Sequence, residues 1–515
     1  MKDYQPTIGL EVHATLNTQT KMFCDCLNDP DEEHPNQNVC PVCLGHPGAL
    51  PVINKQAVEA VLRVGLALKG SVNPVSKLDR KNYFYPDLPK GYQISQYDQP
   101  LITGGELLGV RIRRIHLEED AGRLLHEIPG EAKKGEASYV DFNRAGTPLM
   151  ELVTEPDIRS AEQAVAFAKE FQLILQYLGA SDADMEKGLM RVEANVSLDM
   201  GPKVELKNIN SFKAVGSAIA YEIERQKGSL EKGVKVEHET RGWDDAKQKT
   251  VSQRTKEEAH DYRYFPEPDL PPLEPAKVFD VEDLRAHVPE LPAQKRARFE
   301  REFKLSAEQA AQLIQDKQLA DFFEAAESEL AAHLRTYSAE ATLAAKAGQD
   351  FGGQARDERE TVTIEKTPQN LLFNYLTSDL IGLMNEAGTR FSAEGGSASG
   401  GDVLKIEPEE LAHLIDLIAD GTIMSRQAKD ILRKMFQTGE DPETIMRAEG
   451  LRTVSDAGEV EQVVRATIVE NPNAVADYKK GKEASLQFLI GKAMRKFKGR
   501  GNPATIQEIL TKLLR

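Results

Sequence analysis

Residues Thr7 to Leu16 alternate apolar and polar side chains without a break, a pattern only a strand accommodates. Successive strand side chains point to opposite faces. Ile8, Leu10, Val12, Ala14 and Leu16 therefore form one apolar face, and Gly9, Glu11, His13 and Thr15 the other. Taken alone, a face carrying Glu and His reads as a solvated outer surface. A carboxylate and an imidazole two residues apart on a rigid strand also make half of a metal or phosphoryl-transfer site. Which reading holds depends on what other segments supply.

Two carboxylates sit where apolar residues belong. The run before Gly122 places Arg113, Ile115, Leu117 and Glu119 on one face and Arg114, His116 and Glu118 on the other, so Glu119 continues an apolar row. Glu151 stands between Leu149-Met150 and Leu152-Val153. Buried carboxylates are normally paired or metal-bound; for Glu119 or Glu151 alone, a salt bridge to an arginine such as Arg144 or Arg123 is as good a reading as a ligand role. With Glu11 and His13 they make a hard donor set that suits Mg²⁺. The segment Asp79 to Gln93 is dense in aromatics and cations. Lys81 or Arg80 could neutralise a transferring phosphoryl group, and the aromatics could stack on an adenine or a terminal RNA base; a packed surface loop is the plain alternative. No Walker motif and no strand-linked Gly-x-Gly-x-x-Gly occurs, so a nucleotide site would be of an uncommon type.

All four cysteines fall in one stretch, Cys24-x-Cys26 and Cys40-x-x-Cys43, separated by 13 residues. Zinc tetrathiolate is the favoured reading, two disulfides the rival; His34 and His46 are near enough to replace a thiol. In so proline-rich a loop the metal would fold the segment, which makes it structural.

At 515 residues the chain exceeds one core, and about three domains are expected. Residues 1–292 mix strand and helix signals, including a helix from Ala161 to Leu178 with Ser160 and Gln163 in capping-box spacing. Pro266, Pro268, Pro271, Pro272 and Pro275 mark an extended exit. Residues 293–405 turn helical, broken by polar stretches at 348–360 and 394–402, and 406–515 reads as a compact helical module. The fold class is α+β: a mixed sheet followed by two all-α domains. Formal net charge is −17, which does not favour nucleic acid, yet Lys479 to Arg515 holds ten Lys or Arg against Glu483 and Glu508. Such a basic tail suits phosphate contact, with Lys492, Arg495, Lys496, Lys498 and Arg500 as candidates. No secretory signal and no apolar run of about 18 residues is visible, so a cytoplasmic protein is expected.

Several long motifs then make a resemblance specific: Ile8-Gly9-Leu10-Glu11-Val12-His13, Arg80 to Asp87, Gln93 to Pro100, His116 to Gly122, Asn143 to Leu149, Glu205 to Phe212 and Asp261 to Asp269. In this order they resemble the B subunit of the tRNA-dependent Asp/Glu amidotransferase, densely over the first domain and recognisably over the last. The resemblance implies a cradle-shaped catalytic domain, a helical domain and a helical tail domain that grips tRNA. It implies a heterotrimer with an ammonia-releasing amidase A subunit and a small C subunit. The B subunit would use ATP and Mg²⁺ to phosphorylate the side-chain carboxylate of Glu on tRNA(Gln) or Asp on tRNA(Asn), and ammonia would then displace phosphate. Carried over by position, Mg²⁺ falls to His13, Glu119 and Glu151, with Glu11, Lys81 and Glu119 catalytic; Glu118 competes for the role of Glu119. Four-cysteine loops occur in some members of that family and not in others, which again makes Zn²⁺ structural. The alternative is a non-catalytic tRNA-binding scaffold of the same complex, for which carboxylates on apolar strands have no use.

Overall fold

The alternation at the N-terminus becomes the middle strand of a large sheet. The computed structural model describes residues 4–125, 138–255, 262–330, 367–391, 403–450, 457–497 and 503–514, and the chain divides into two compact units, Met1–Pro292 and Ala293–Arg515. In the first, the strands are β1 (Pro6–Thr15), β2 (Ser71–Val72), β3 (Asp79–Asn82), β4 (Tyr92–Ser95), β5 (Ile102–Thr103), β6 (Glu106–Leu107), β7 (Val110–Glu119) and β8 (Arg123–Leu125). They continue with β9 (Tyr139–Asp141), β10 (Pro148–Thr154), β11 (Met190–Leu198), β12 (Val204–Lys207), β13 (Glu239–Asp244), β14 (Lys249–Thr255) and β15 (Phe265–Pro266). Ten of them form one sheet, in the order β14-β13-β12-β11-β1-β10-β7-β5-β2 with β6 on β7; β15-β3-β4 form a second sheet and β8-β9 a ribbon. The large sheet is mixed, since β12 and β13 run parallel while β1 is antiparallel to both its neighbours.

The two faces of this sheet differ as the alternation requires. Ile8, Leu10, Val12, Ala14 and Leu16 are fully buried, and cross-strand register aligns Val12 with Leu152 and Val192 on the same face. Three helices supply its apolar cover: α1 (Lys55–Ala67), α2 (Ala161–Tyr177) and α3 (Phe212–Glu231). Val58, Val61 and Leu62 of α1, Phe167, Phe171 and Leu175 of α2, and Val215, Ala218 and Ile219 of α3 join one core with the strands. Each large aliphatic buried this way contributes about 1.5–3 kcal/mol. The helix starts are set locally. Asn54 caps α1, and the Ser160 side chain accepts from the Gln163 N–H at the start of α2. The Gln163 side chain accepts from Arg159 N–H rather than Ser160 N–H, so the reciprocal half of the expected capping box is displaced by one residue. Gly179, at φ +64°, ends the helix.

The proline-rich run is extended as expected but is not simply an exit. Phe265 and Pro266 pair with Arg80 and Asp79, and Leu273 bridges back to Ser76. This return lays residues 262–273 along β3, beside the polar face.

In the second unit the described residues contain helices and no strand. The last four helices, Ala457–Glu470, Pro472–Lys479, Ala484–Lys496 and Pro503–Leu514, share a core of Val460, Val464, Leu489, Ile490, Ala493, Phe497, Ile506 and Leu510. The polar stretches 348–360 and 394–402, and the candidates Lys498 and Arg500, lie outside the described residues. The molecule is thus α+β, a mixed sheet followed by helices. Among the described residues no helix is long and apolar enough to cross a membrane.

Candidate active site on the polar face

Strand register brings the polar side chains together. His13 of β1 lies opposite Glu151 of β10, and Glu151 opposite His116 of β7. His13 Nε2 and His116 Nε2 each lie 3.3 Å from Glu151 Oε2. Glu118, two residues beyond His116 and hence on the same face, places Oε1 3.6 Å from His13 Nε2. Its other oxygen accepts a hydrogen bond from Ser95 Oγ at 3.1 Å. Donor atoms of His13, Glu118 and Glu151 lie within 4.8 Å of one another. That is a compact imidazole–carboxylate set able to hold a hard divalent cation.

Glu119 does not belong to it. Glu118 and Glu119 are successive strand residues, so their side chains leave opposite faces. The Glu119 carboxylate is bound by Lys90 Nζ and accepts from the Ile94 N–H at 2.8 Å. The structure thus groups His13 and Glu151 with Glu118, whereas the expected ligand Glu119 lies on the opposite face beside Lys90. Glu119 does continue the apolar row, and for that reason it points away from the cradle.

Glu11 lies one step along β1, in a second group: donor atoms of Glu11, Glu193 and Glu205 approach within 4.8 Å. Asn195 Nδ2 donates to Glu11 at 2.9 Å, and Lys207 Nζ to Glu193 at 2.8 Å. Of the two candidate cations, Lys81 lines the cavity, its Nζ 4.0 Å from Glu118 Oε2. Arg80 instead holds Glu267 in a bidentate pair at 2.6 and 2.8 Å. Burial favours neutral Lys81, but the charges of Glu118 and, farther off, Glu151 outweigh it, so the ammonium is held well above its usual range. Burial likewise disfavours the His13 imidazolium. Glu151, by charge and hydrogen bond, and Glu118 overcome this and raise the metal-free imidazole to about 9. A cation bound to this set would take the place of that proton.

The opening is a cavity of about 1000 Å³, room for a nucleotide. Arg191 Nη2 and Arg144 Nε hold Asp120 on its wall at 2.8 and 3.4 Å. Four tyrosines line the cavity together with Lys81, whose Nζ lies 5.3 Å from the Tyr262 ring centroid: Tyr97 stacks on Tyr264 with centroids 4.6 Å apart, and Tyr262 meets Tyr83 and Tyr264 edge-on at 6.0 and 6.2 Å.

Sequence reading missed the roles of His116, Arg191, Glu193, Glu205 and Lys207. For Arg191 and Glu193 a signal existed: with Asn195 they alternate with Val192, Ala194 and Val196 as Glu11 and His13 do with Val12 on β1. What was lacking was the register that sets the two alternations side by side.

The four cysteine sulfurs gather within 4.8 Å, without disulfides and without His34 or His46. Cys40 N–H donates to Cys43 Sγ at 3.1 Å. A hydrogen bond from Cys24 leads the influences that lower the Cys43 thiol to about 5; the Cys40 amide and the charge of Lys21 add to it against the effect of burial. A thiol cluster that favours a thiolate fits a thiophilic metal. In the tail, Arg495 and Lys496 are exposed and Lys492 partly so; Lys496 is tied to Glu470 at 2.6 Å and Lys492 lies over the Phe488 ring.

Comparison with known proteins agrees with this layout. A family model described as the GatB/GatE catalytic domain matches residues 6–279, and one described as the GatB domain matches 357–514. The B subunit of aspartyl/glutamyl-tRNA(Asn/Gln) amidotransferase from Persephonella marina is 43% identical over 100% of both chains. That of Thermomicrobium roseum is 43% identical over 99% of each. The Dehalococcoides mccartyi (strain CBDB1) protein of the same name is 42% identical over 100% of this chain and 99% of its own. A sheet-borne site within the first match and near-complete coverage of three such proteins lead to one conclusion: this chain belongs to the family of aspartyl/glutamyl-tRNA(Asn/Gln) amidotransferase B subunits.

Proposed function

We propose that the polar face of the sheet is an ATP-dependent phosphoryl-transfer site. It activates the side-chain carboxylate of Glu on tRNA(Gln) or Asp on tRNA(Asn) and then turns it into the amide. The observation that carries this reading is the set His13, Glu118 and Glu151 beside the buried ammonium of Lys81, on the wall of a cavity sized for a nucleotide. One carboxylate oxygen attacks the γ-phosphorus of ATP and ADP leaves. Ammonia then attacks the acyl carbon, phosphate leaves, and a proton is lost as the amide forms. Lys81, whose ammonium form the neighbouring carboxylates favour, neutralises charge on the transferring phosphoryl oxygens. Its Nζ lies over the Tyr262 ring, 5.3 Å from the centroid, and beside Glu118.

The donor chemistry of His13, Glu118 and Glu151 fits Mg²⁺, which when bound would supply further charge neutralisation at the phosphates. Glu11, held by Asn195, is placed to orient the reacting carboxylate or the ammonia. The four cysteines fit a structural Zn²⁺ that folds the 24–43 loop, and their reduced state suits the cytoplasm. Ammonia would come from an amidase A subunit assembled with a small C subunit. The helical regions 293–405 and 406–515 would hold tRNA, with Lys492 and Arg495 as contacts.

The test is misacylated-tRNA-stimulated phosphate release from ATP in the assembled complex. Lys81→Met should lower the rate about 10²- to 10³-fold while tRNA affinity stays. Wild type that binds tRNA but releases no phosphate would instead make the chain a scaffold.

A further inference from the structure

Two aromatics at the cavity mouth have no partner in the arrangement above. Phe84 is 92% exposed and Tyr85 59%, and both line the opening. Whereas Tyr83, Tyr97, Tyr262 and Tyr264 spend their ring faces and edges on one another, neither Phe84 nor Tyr85 has a ring or cation contact among the described residues. They are not on a loose loop. The β3–β4 connection is tied by Leu88 N–H to Tyr85 O and Gly91 N–H to Leu88 O, each at 3.0 Å, and by Gly122 N–H to Asp87 O at 2.8 Å. Leu88 is buried as an anchor. The Phe84 ring edge passes beside Gly91, where φ is +72° and an added Cβ would come within 3.2 Å of Phe84 Cε1, and the ring otherwise stands in solvent.

We propose that Phe84, with Tyr85 beside it, is the stacking platform for the unpaired 3′-terminal base of the aminoacylated tRNA. This rests on the reading given under Proposed function. A bare ring on a hydrogen-bonded turn at the mouth of a charged cavity fits a flat ligand with a π-face, as single-stranded nucleic acid offers. Position favours the tRNA end over the adenine of ATP: both rings stand in solvent at the mouth, outside the buried carboxylates, where a macromolecule's unpaired terminus entering the cavity passes first. Phe84 is then a positioning residue: it sets where the carboxylate enters, and takes no part in the bond changes.

The experiment measures equilibrium binding of uncharged tRNA, and of the same tRNA lacking its 3′-terminal nucleotide, to the complete complex carrying wild type, Phe84→Ala or Phe84→Trp. Removing the nucleotide should weaken binding to wild type and Phe84→Trp about tenfold and leave binding to Phe84→Ala unchanged. So exposed a ring adds little to the core, and thermal unfolding of all three should coincide. Equal sensitivity to the missing nucleotide in Phe84→Ala would overturn the proposal. So would a raised KM for ATP with tRNA affinity intact, which assigns the ring to ATP, or loss of complex assembly, which assigns it to a partner protein. Failure of the underlying reading looks different: wild type itself would show no tRNA-dependent phosphate release.

Discussion

A single residue's phase on a strand decides which carboxylate faces the cradle. Glu118 and Glu119 are adjacent and both buried, and in the sequence both have apolar or charged neighbours that justify a ligand role. Burial alone therefore could not choose between them; the cross-strand partners did, because Glu118 shares a face with His116 and, through β10, with His13. The placement of Glu11 and His13 on one face was legible from alternation alone. Asp120 shows the same dependence on tertiary partners. Burial pushes its carboxyl up, but Arg191 and Arg144 hold it below the ordinary range. A depressed folded-state value gives stability that is present above the unfolded value near 4 and is lost as pH falls through the folded one. Asp120→Asn should therefore cost about 2 kcal/mol at pH 7, discounted because both arginines are partly exposed. The deficit should shrink below about pH 4. Urea unfolding of both proteins across that range checks the direction.

At the scale of elements, the strands and helices with strong periodicity were readable and their meeting points were not. The apolar faces of β1 and α2 follow from spacing, and the helical character of the second unit from composition. The proline-rich segment shows the limit: its extended backbone was evident, but its return onto β3 is made by strand pairing and an Arg80–Glu267 pair between residues 187 apart in sequence. The cysteine loop lies between these cases, since spacing alone pointed to a cluster and the folded chain brings the sulfurs together. If metal folds this loop, chelation should release one zinc per chain and open the 24–46 region to limited proteolysis. The sheet and its helices, which have their own core, should remain resistant. Cys43→Ser should reproduce the effect without chelator, and unchanged protease resistance after complete metal loss would contradict it.

For the whole molecule, the proposed tRNA binding by an acidic chain needs positive charge concentrated in one place, and the last helices carry such a cluster. Lys496 is occupied by Glu470, so Lys492 and Arg495 are expected to make the larger contribution. Replacing both by Ala should weaken tRNA binding and flatten the salt dependence of log K by about 1.5, while Lys496→Ala should change less; titrations at several salt concentrations measure both. Phosphoryl transfer should meanwhile depend on the first unit alone for its chemical groups. The most direct measurement is tRNA-stimulated phosphate release from ATP by the assembled complex with Glu118→Gln set against Glu119→Gln. We expect Glu118→Gln to lower release about 10²- to 10³-fold and Glu119→Gln to retain most of it. Full release by Glu118→Gln, or a greater loss in Glu119→Gln, would contradict the assignment of His13, Glu118 and Glu151 as the reacting centre.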